Sequence, residues 1–398
     1  MTTDKNVPKS ELSLRLERFR YNMDCAHENW EICAVTGAVS LFYFTGTVCD
    51  GVLFIRRGGD ATLWVKRSYE RALLESEFGD IRRMTSFRDV AGSIGALPDT
   101  LYLDTTFATL EWHGLLDKYI SFKSIKSADK TILDTRAIKS EYELERMRQA
   151  GITVDRLLRE ELPAFFKENI SEAELGVELF TLYMKNGYHG VCRFAMRNSD
   201  TLLGHVAFGD STFYPSVFNG ASGIAGLCPA IPVLGSRDRR LREGDLIFID
   251  DCFGIDGYNV DKTLVYSYKL PQPDHAIAAH RHCLDLERLA ASLLRPGAKP
   301  SEIYAKVADS VKPEYRNSFM GSPGHTVPFL GHSIGLYTDE TPVLALGFNT
   351  PLERGMTIAI EPKIGLDGIG IVGSENTYLV TDAGGISLTG PPQEILVY

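Results

Sequence analysis

The sequence predicts an α+β protein of two domains, and three observations carry that expectation. Short apolar runs of strand character alternate with helical stretches through the first third of the chain. A helix-opening signal stands at Ser140. The second part contains two matched strand–turn–strand segments. The chain has 398 residues, and domains of roughly 100–200 residues make two the expected number. Hydrophobic residues make up 44% of it, enough for a sizeable core.

In chain order, Leu41-Phe42-Tyr43-Phe44 and Gly51-Val52-Leu53-Phe54-Ile55 read as buried strands. Ala61-Thr62-Leu63-Trp64-Val65 and Leu101-Tyr102-Leu103 follow as two more. Strands alternating with helices mark residues 1–135 as a smaller, mixed α/β domain. A junction falls between Asp134 and Lys139, so the second domain takes residues 136–398. Ser140-Glu141-Tyr142-Glu143 has the form of a capping box and opens a long amphipathic helix. Leu144, Met147 and Ile152 are assigned to the apolar side of that helix. Pro163 ends this helix or opens the next. Ser171-Glu172-Ala173-Glu174 repeats the capping signal before a helix that ends near Gly187, and Pro300-Ser301-Glu302 opens a later one. Residues 188–235 are rich in Gly, Ser and Pro with scattered aromatics. Irregular stretches of that length tend to be functional.

Charge and composition remove several function classes. The formal net charge is -10, which argues against nucleic acid as a partner, because phosphate binding needs clustered Lys and Arg. No stretch approaches the roughly 20 apolar residues of a membrane helix, so no membrane partner is expected. Met1-Thr2-Thr3-Asp4-Lys5 is polar and lacks the apolar core of a signal peptide. The expected location is therefore cytoplasmic. Cysteine number is odd at seven, and no CxxC pair occurs, which fits reduced thiols.

The matched segments place the chemistry. Leu241-Arg242-Glu243-Gly244-Asp245-Leu246-Ile247-Phe248-Ile249-Asp250 parallels Leu352-Glu353-Arg354-Gly355-Met356-Thr357-Ile358-Ala359-Ile360-Glu361. Each has a Leu, a Gly three residues on, an apolar strand and then a carboxylate. Strand alternation puts Ile247 and Ile249 on one face and Asp250 on the other, and does the same for Ile358, Ile360 and Glu361. The return strands read Asp261-Lys262-Thr263 and Glu375-Asn376-Thr377, again carboxylate, any residue, Thr. Four convergent carboxylates must be protonated, paired with Lys or Arg, or bound to cations. Gly331-His332-Ser333-Ile334-Gly335-Leu336 supplies a nitrogen ligand. Asp250, Asp261, His332, Glu361 and Glu375 are thus expected to hold metal. Carboxylates with one imidazole suit manganese, and also Fe, Co or Zn.

In this order and in these local frames the residues resemble the pita-bread metallopeptidase family of aminopeptidase P, prolidase, methionine aminopeptidase and creatinase. The frames are Ile249-Asp250, Gly257-Tyr258-Asn259-Val260-Asp261, Gly331-His332, Ile360-Glu361-Pro362 and Glu375-Asn376-Thr377. The likeness covers nearly the whole chain and is closest to the two-domain, aminopeptidase P-like branch. It implies a creatinase-like N-terminal domain and a pita-bread catalytic domain with a curved antiparallel sheet. It implies two divalent ions, with Asp250 on one, His332 and Glu361 on the other, and Asp261 and Glu375 bridging. A bridging hydroxide would then attack an Xaa-Pro bond, in an aminopeptidase or a dipeptidase. A homodimer is also implied. Lys66, Arg67 and Arg71 are candidates for contacts across it.

The chain departs from the family pattern where the peptidases carry two further histidines. Pro229 is followed by Ala230, and the stretch after the metal histidine reads Asp339-Glu340-Thr341-Pro342. Asp-x-Gly at the first ligand has become Asp250-Asp251-Cys252, and Leu264 replaces the usual Arg. His205 and His325 are the candidate replacements, and Asp339 is a candidate general base. These losses leave a second expectation: a metal-dependent hydrolase or lyase acting on a small non-peptide metabolite, as in the ectoine-hydrolase-like and dimethylsulfoniopropionate-lyase-like relatives of the family.

Overall fold

The computed structural model describes residues 6–196, 199–218 and 220–398. It divides into two compact units between Arg136 and Ala137. In the first unit, strands β1 (Ile32–Val35), β2 (Asp50–Arg56), β3 (Ala61–Arg67), β4 (Ile81–Arg83), β5 (Thr100–Leu103) and β6 (Ser124–Ser127) form one mixed sheet in the order β4-β3-β2-β1-β5-β6. The inner pairs β1–β2 and β2–β3 are antiparallel, and the outer pairs are parallel. Alternate residues Ile32, Ala34, Val52, Phe54, Leu101 and Leu103 line one side of a shared core, as a two-residue period requires.

One expected strand is a helix. Leu41–Phe44 lies inside helix Ala38–Thr45. A short apolar run that is buried all round carries no period to separate strand from helix. The deciding signal is Gly46, whose φ of +75° ends the helix and lets its N–H bond to the Phe42 carbonyl.

The second unit contains β7 (Gly204–Phe208), β8 (Leu246–Ile255), β9 (Tyr258–Ser267), β10 (Gly321–Ser322), β11 (His325–Thr326), β12 (Phe329–Ser333), β13 (Glu340–Ala345), β14 (Thr357–Ile360), β15 (Lys363–Leu366), β16 (Gly370–Gly373), β17 (Glu375–Thr381), β18 (Gly384–Ser387) and β19 (Leu396–Val397). The main sheet runs β13-β12-β14-β17-β9-β8-β7 with antiparallel neighbours, while β10–β11 and β15–β16 are separate ribbons. This is the α+β pita-bread arrangement, preceded by the smaller N-terminal unit.

Helices cover the sheet in two places. Helix Glu141–Arg156 lies against β8 and β9. Helices Asp274–Leu293 and Pro300–Asp309 pack Leu286, Ala290, Ile303 and Val307 against Ile358, Ile360, Tyr378 and Val380 of β14 and β17. Both expected capping boxes are formed. Ser140 Oγ accepts from Glu143 N while Glu143 Oε2 accepts from Ser140 N, and Ser171 and Glu174 do the same. Each cap contributes about 1 kcal/mol. Leu144 and Met147 are buried as expected, but Ile152 is 69% exposed. The buried stripe runs through Met147, Ala150, Gly151 and Val154, and position 152 falls off it by the helical angle. All seven cysteines are free. No helix among the described residues is long and apolar enough to cross a membrane.

Candidate metal centre

The hairpin β8–β9 turns on Asp256-Gly257, both at positive φ, the pairing a two-residue hairpin turn favours. That turn fixes the register, with Asp250 opposite Thr263 and Cys252 opposite Asp261. Cross-strand partners share a face, so both acids point to the same side. On the next strand Glu375 sits opposite Thr263. A row of three strands therefore reads Asp250, Thr263, Glu375. The Thr263 hydroxyl lies 2.9 Å from Asp250 Oδ1 and 3.0 Å from Glu375 Oε2.

The second copy of the repeat is built the same way up to its carboxylate. Gly244 and Gly355, three residues after Leu241 and Leu352, both take positive φ (83° and 90°). Both leucines are buried. Glu361 N bonds to the Leu330 carbonyl, which places Glu361 beside the Gly331-His332 segment of β12. A Cβ on Gly331 would lie 2.0 Å from the Ala359 carbonyl oxygen, so the strands approach this closely only with glycine there. His332 Nδ1 lies 3.2 Å from the Ser333 carbonyl oxygen, and Nε2 is turned toward Glu361 Oε1 at 3.5 Å.

All five expected ligands line one pocket of about 210 Å³, walled by Phe194, Phe218, Phe329 and Val343. His205 and Asp339 line it too. The irregular segment before β8 supplies Phe194, Thr201, Phe218, Ala221 and Ser222. His325 is not brought in. It is exposed on the β10–β11 ribbon, away from the pocket lining.

His205 is buried and stacks on Phe218 at 5.2 Å. Its Nδ1 lies 3.0 Å from Ser222 Oγ, which donates to Asp250 Oδ2 at 2.8 Å. Burial pulls the imidazole pKa down to about 4, against the pull of Asp250. The ring is neutral at physiological pH, so its 3.9 Å approach to Asp250 is no ion pair. The partly buried Asp339 accepts from Ala195 N at 2.6 Å. Burial raises its pKa above the usual carboxylate value, with the Ala195 hydrogen bond opposing.

Lys363 is the residue that sequence reasoning missed. Its Nζ lies 2.8 Å from Asp250 Oδ2, 2.8 Å from Glu361 Oε2 and 2.9 Å from Glu375 Oε2, with the side chain 2% exposed. Burial alone would lower its pKa, but the charges of Asp250, Glu361 and Glu375 together hold it well above the ordinary value. Burial likewise works against the Asp250 carboxylate, yet the Lys363 charge, with hydrogen bonds from Lys363 and Ser222, holds its pKa well below the usual range. Asp261 and Glu375 go the other way: burial first, then neighbouring carboxylates, raise both well above normal. The signal was present in the repeat. Lys363 follows Glu361 by two positions, as Cys252 follows Asp250, and both line the pocket.

The donor set can be tested against an ion. Asp261, His332 and Glu375 each offer a ligand atom, and these atoms lie within 4.8 Å of one another, which suits one divalent ion. Asp250 and Glu361 lie outside that group and each gives an oxygen to the Lys363 ammonium, which Glu375 also contacts through Oε2.

Sheet topology and the clustered acids define a two-domain protein of the pita-bread class with a candidate metal site. The model of the Metallopeptidase family M24 matches residues 145–382, and that of the Creatinase/Prolidase N-terminal domain matches residues 15–149. The chain belongs to metallopeptidase family M24. The probable dipeptidase PepE of Mycobacterium tuberculosis is 28% identical over 265 residues, 66% of this chain. That match spans 61% of PepE, less than two thirds of its length. The Xaa-Pro dipeptidase of Pyrococcus furiosus is 26% identical over 360 residues, 90% of this chain and 93% of that protein. The solved Xaa-Pro dipeptidase from Bacillus anthracis superposes with a TM-score of 0.78 at 22% identity, over 97% of this chain and 100% of that one. At that identity the likeness is one of fold.

Proposed function

We propose that this chain is a metal-dependent hydrolase of a small amide substrate, most simply an Xaa-Pro dipeptide. The observation that carries the proposal is the convergence of Asp250, Asp261, His332, Glu361 and Glu375 on one pocket. At about 210 Å³ that pocket is smaller than the ~300–1,000 Å³ of drug-sized ligand sites, which favours a substrate of a few residues over a longer chain. Asp261, His332 and Glu375 are the donors for a divalent ion, with manganese suited to a carboxylate-rich set. Such an ion lowers the pKa of a water and polarises a carbonyl. Phe194, Phe218, Phe329 and Val343 give the substrate an apolar seat and keep bulk water away. His205, whose Nδ1–H donates to Ser222 Oγ while Ser222 donates to Asp250, is neutral and offers Nε2 as a hydrogen-bond acceptor for a substrate N–H or O–H. Asp339, with its raised pKa, takes up and returns the proton.

The test is release of free amino acid from a panel of Xaa-Pro di- and tripeptides by the manganese-loaded protein. No release from any member overturns the peptidase proposal. Asp339 favours a second reading, in which a carboxylate base standing where the peptidases keep a histidine acts on a small non-peptide metabolite. A mass-spectrometric metabolite screen, run in parallel with Asp339→Asn, separates the two. Full turnover by that variant rules out the carboxylate base.

A further inference from the structure

We infer that Lys363 is a built-in cation that takes one of the two metal positions of this site, so that the chain binds one divalent ion per subunit rather than two. An ammonium group has three N–H bonds. Each finds a carboxylate oxygen, on Asp250, Glu361 and Glu375, at 2.8, 2.8 and 2.9 Å. Three of the five donors that the family resemblance assigns to metal are thereby engaged by one side chain. The group is saturated, so it neither ligates nor acidifies a water. Only Asp261 and His332 are left unengaged by the lysine, and with Glu375, which the lysine holds through Oε2, they form a set whose ligand atoms are close enough for a single ion.

The surroundings are shaped for this lysine. Lys363 opens β15 and pairs with Gly373 of β16, and its carbonyl accepts from Met320 N at 2.7 Å. A Cβ on Gly373 would lie 2.9 Å from the Lys363 Cγ and 2.4 Å from the Pro362 carbonyl oxygen. Glycine at 373 therefore leaves the space through which the lysine stem passes. Farther along, Nζ lies 5.9 Å from the centre of the Phe248 ring. Backbone, stem and head group are each held, and the head group ends between the two halves of the repeat.

The inference goes beyond the proposed reaction and holds whatever the substrate is. It is tested by counting ions. The full-length protein is stripped with chelator, titrated with Mn²⁺ in a calorimeter, and assayed for metal by mass spectrometry and for Mn–Mn coupling by electron paramagnetic resonance. The wild type is expected to bind one ion with an uncoupled Mn²⁺ spectrum, Lys363→Arg also one, and Lys363→Gly two with a coupled spectrum. Two coupled ions in the wild type, or none, overturn the inference. If Lys363→Gly fails to fold, the wild-type and Lys363→Arg counts still decide. Peptide turnover plays no part in this readout, so failure of the Xaa-Pro proposal is told apart from failure of this one.

Discussion

Lys363→Met removes the ammonium and keeps a straight, flexible stem of similar length. Its effect on stability follows from the burial of the partners. The Lys363 side chain is 2% exposed, and those of Asp250, Glu361 and Glu375 are 13%, 7% and 2% exposed. All lie well below the exposure at which solvent screening would reduce the interaction. Removing one partner of a buried ion pair leaves uncompensated charge and costs roughly 3–5 kcal/mol. In chelator at neutral pH, the variant should lose stability of that size, on the order of 3–5 kcal/mol. Divalent ion at 100 times its Kd should then restore about 2.7 kcal/mol to the variant by mass action. The assay is urea unfolding followed by far-ultraviolet circular dichroism, with hydrogen exchange at β8, β9 and β17. Tryptophan fluorescence does not serve, because Trp30, Trp64 and Trp112 all precede Arg136 and report the first unit. A loss below about 1 kcal/mol in chelator would mean that the carboxylates do not depend on the lysine, and the reasoning from buried pairing would fail.

Other perturbations test other parts of the structure. Gly331→Ala places a Cβ 2.0 Å from the Ala359 carbonyl oxygen, so β12 and β14 must separate. The expected cost is about 1–3 kcal/mol from overpacking, with weaker Mn²⁺ binding in calorimetry as His332 moves. His205 should stay neutral from pH 5 to 8, and imidazole NMR should find its titration near 4, where burial holds it. Titration near 6.5 would show that the ring is solvated. Asp104 is buried and accepts from Thr36 N, Thr36 Oγ1 and Gly37 N, and burial outweighs these bonds to raise its pKa to about 6. A carboxylate with a raised folded pKa binds more protons when folded, so stability falls as pH rises from about 4 to 6. The drop is at most about 3 kcal/mol by linkage. Asp104→Asn should flatten that dependence in the tryptophan-monitored transition, and an unchanged slope would assign it to another group.

What could be read from the sequence depended on whether a signal repeated. The four acids were legible because Asp250 and Glu361, and Asp261 and Glu375, stand at matched places of a duplicated segment, and the hairpin register then puts them on one side. Leu41–Phe44 occurs once and is apolar throughout, so nothing in its period distinguished a helix from a strand. The strand beside each carboxylate was harder to see. Gly204-His205 lies against Asp250-Asp251, and Gly331-His332 lies against Ala359-Ile360, so each half has a Gly-His pair on the neighbouring strand, offset by two residues from the other relative to its carboxylate. The two pairs stand at unequal distances from their carboxylates along the chain, with the irregular segment lengthening the first.

The same symmetry explains why Lys363 changes the chemistry more than the missing histidines do. Two positions after its carboxylate, each half presents one side chain to the pocket: Cys252 in the first and Lys363 in the second. Cys252 is small, and burial raises its pKa well above the ordinary thiol value, so it stays an uncharged thiol and leaves Asp261 available. Lys363 reaches across both halves and closes on Asp250 from the first and on Glu361 and Glu375 from the second. A matched pair of hairpins thus yields an unmatched site, with an ammonium on one side, Asp261 and His332 on the other, and Glu375 shared between them. Loss of a histidine alters how a substrate is held, whereas a lysine at this position alters how many ions the acids can take. The metal count of the wild type, more than any peptide panel, therefore decides whether the five-donor pattern works here as it does in a two-ion site.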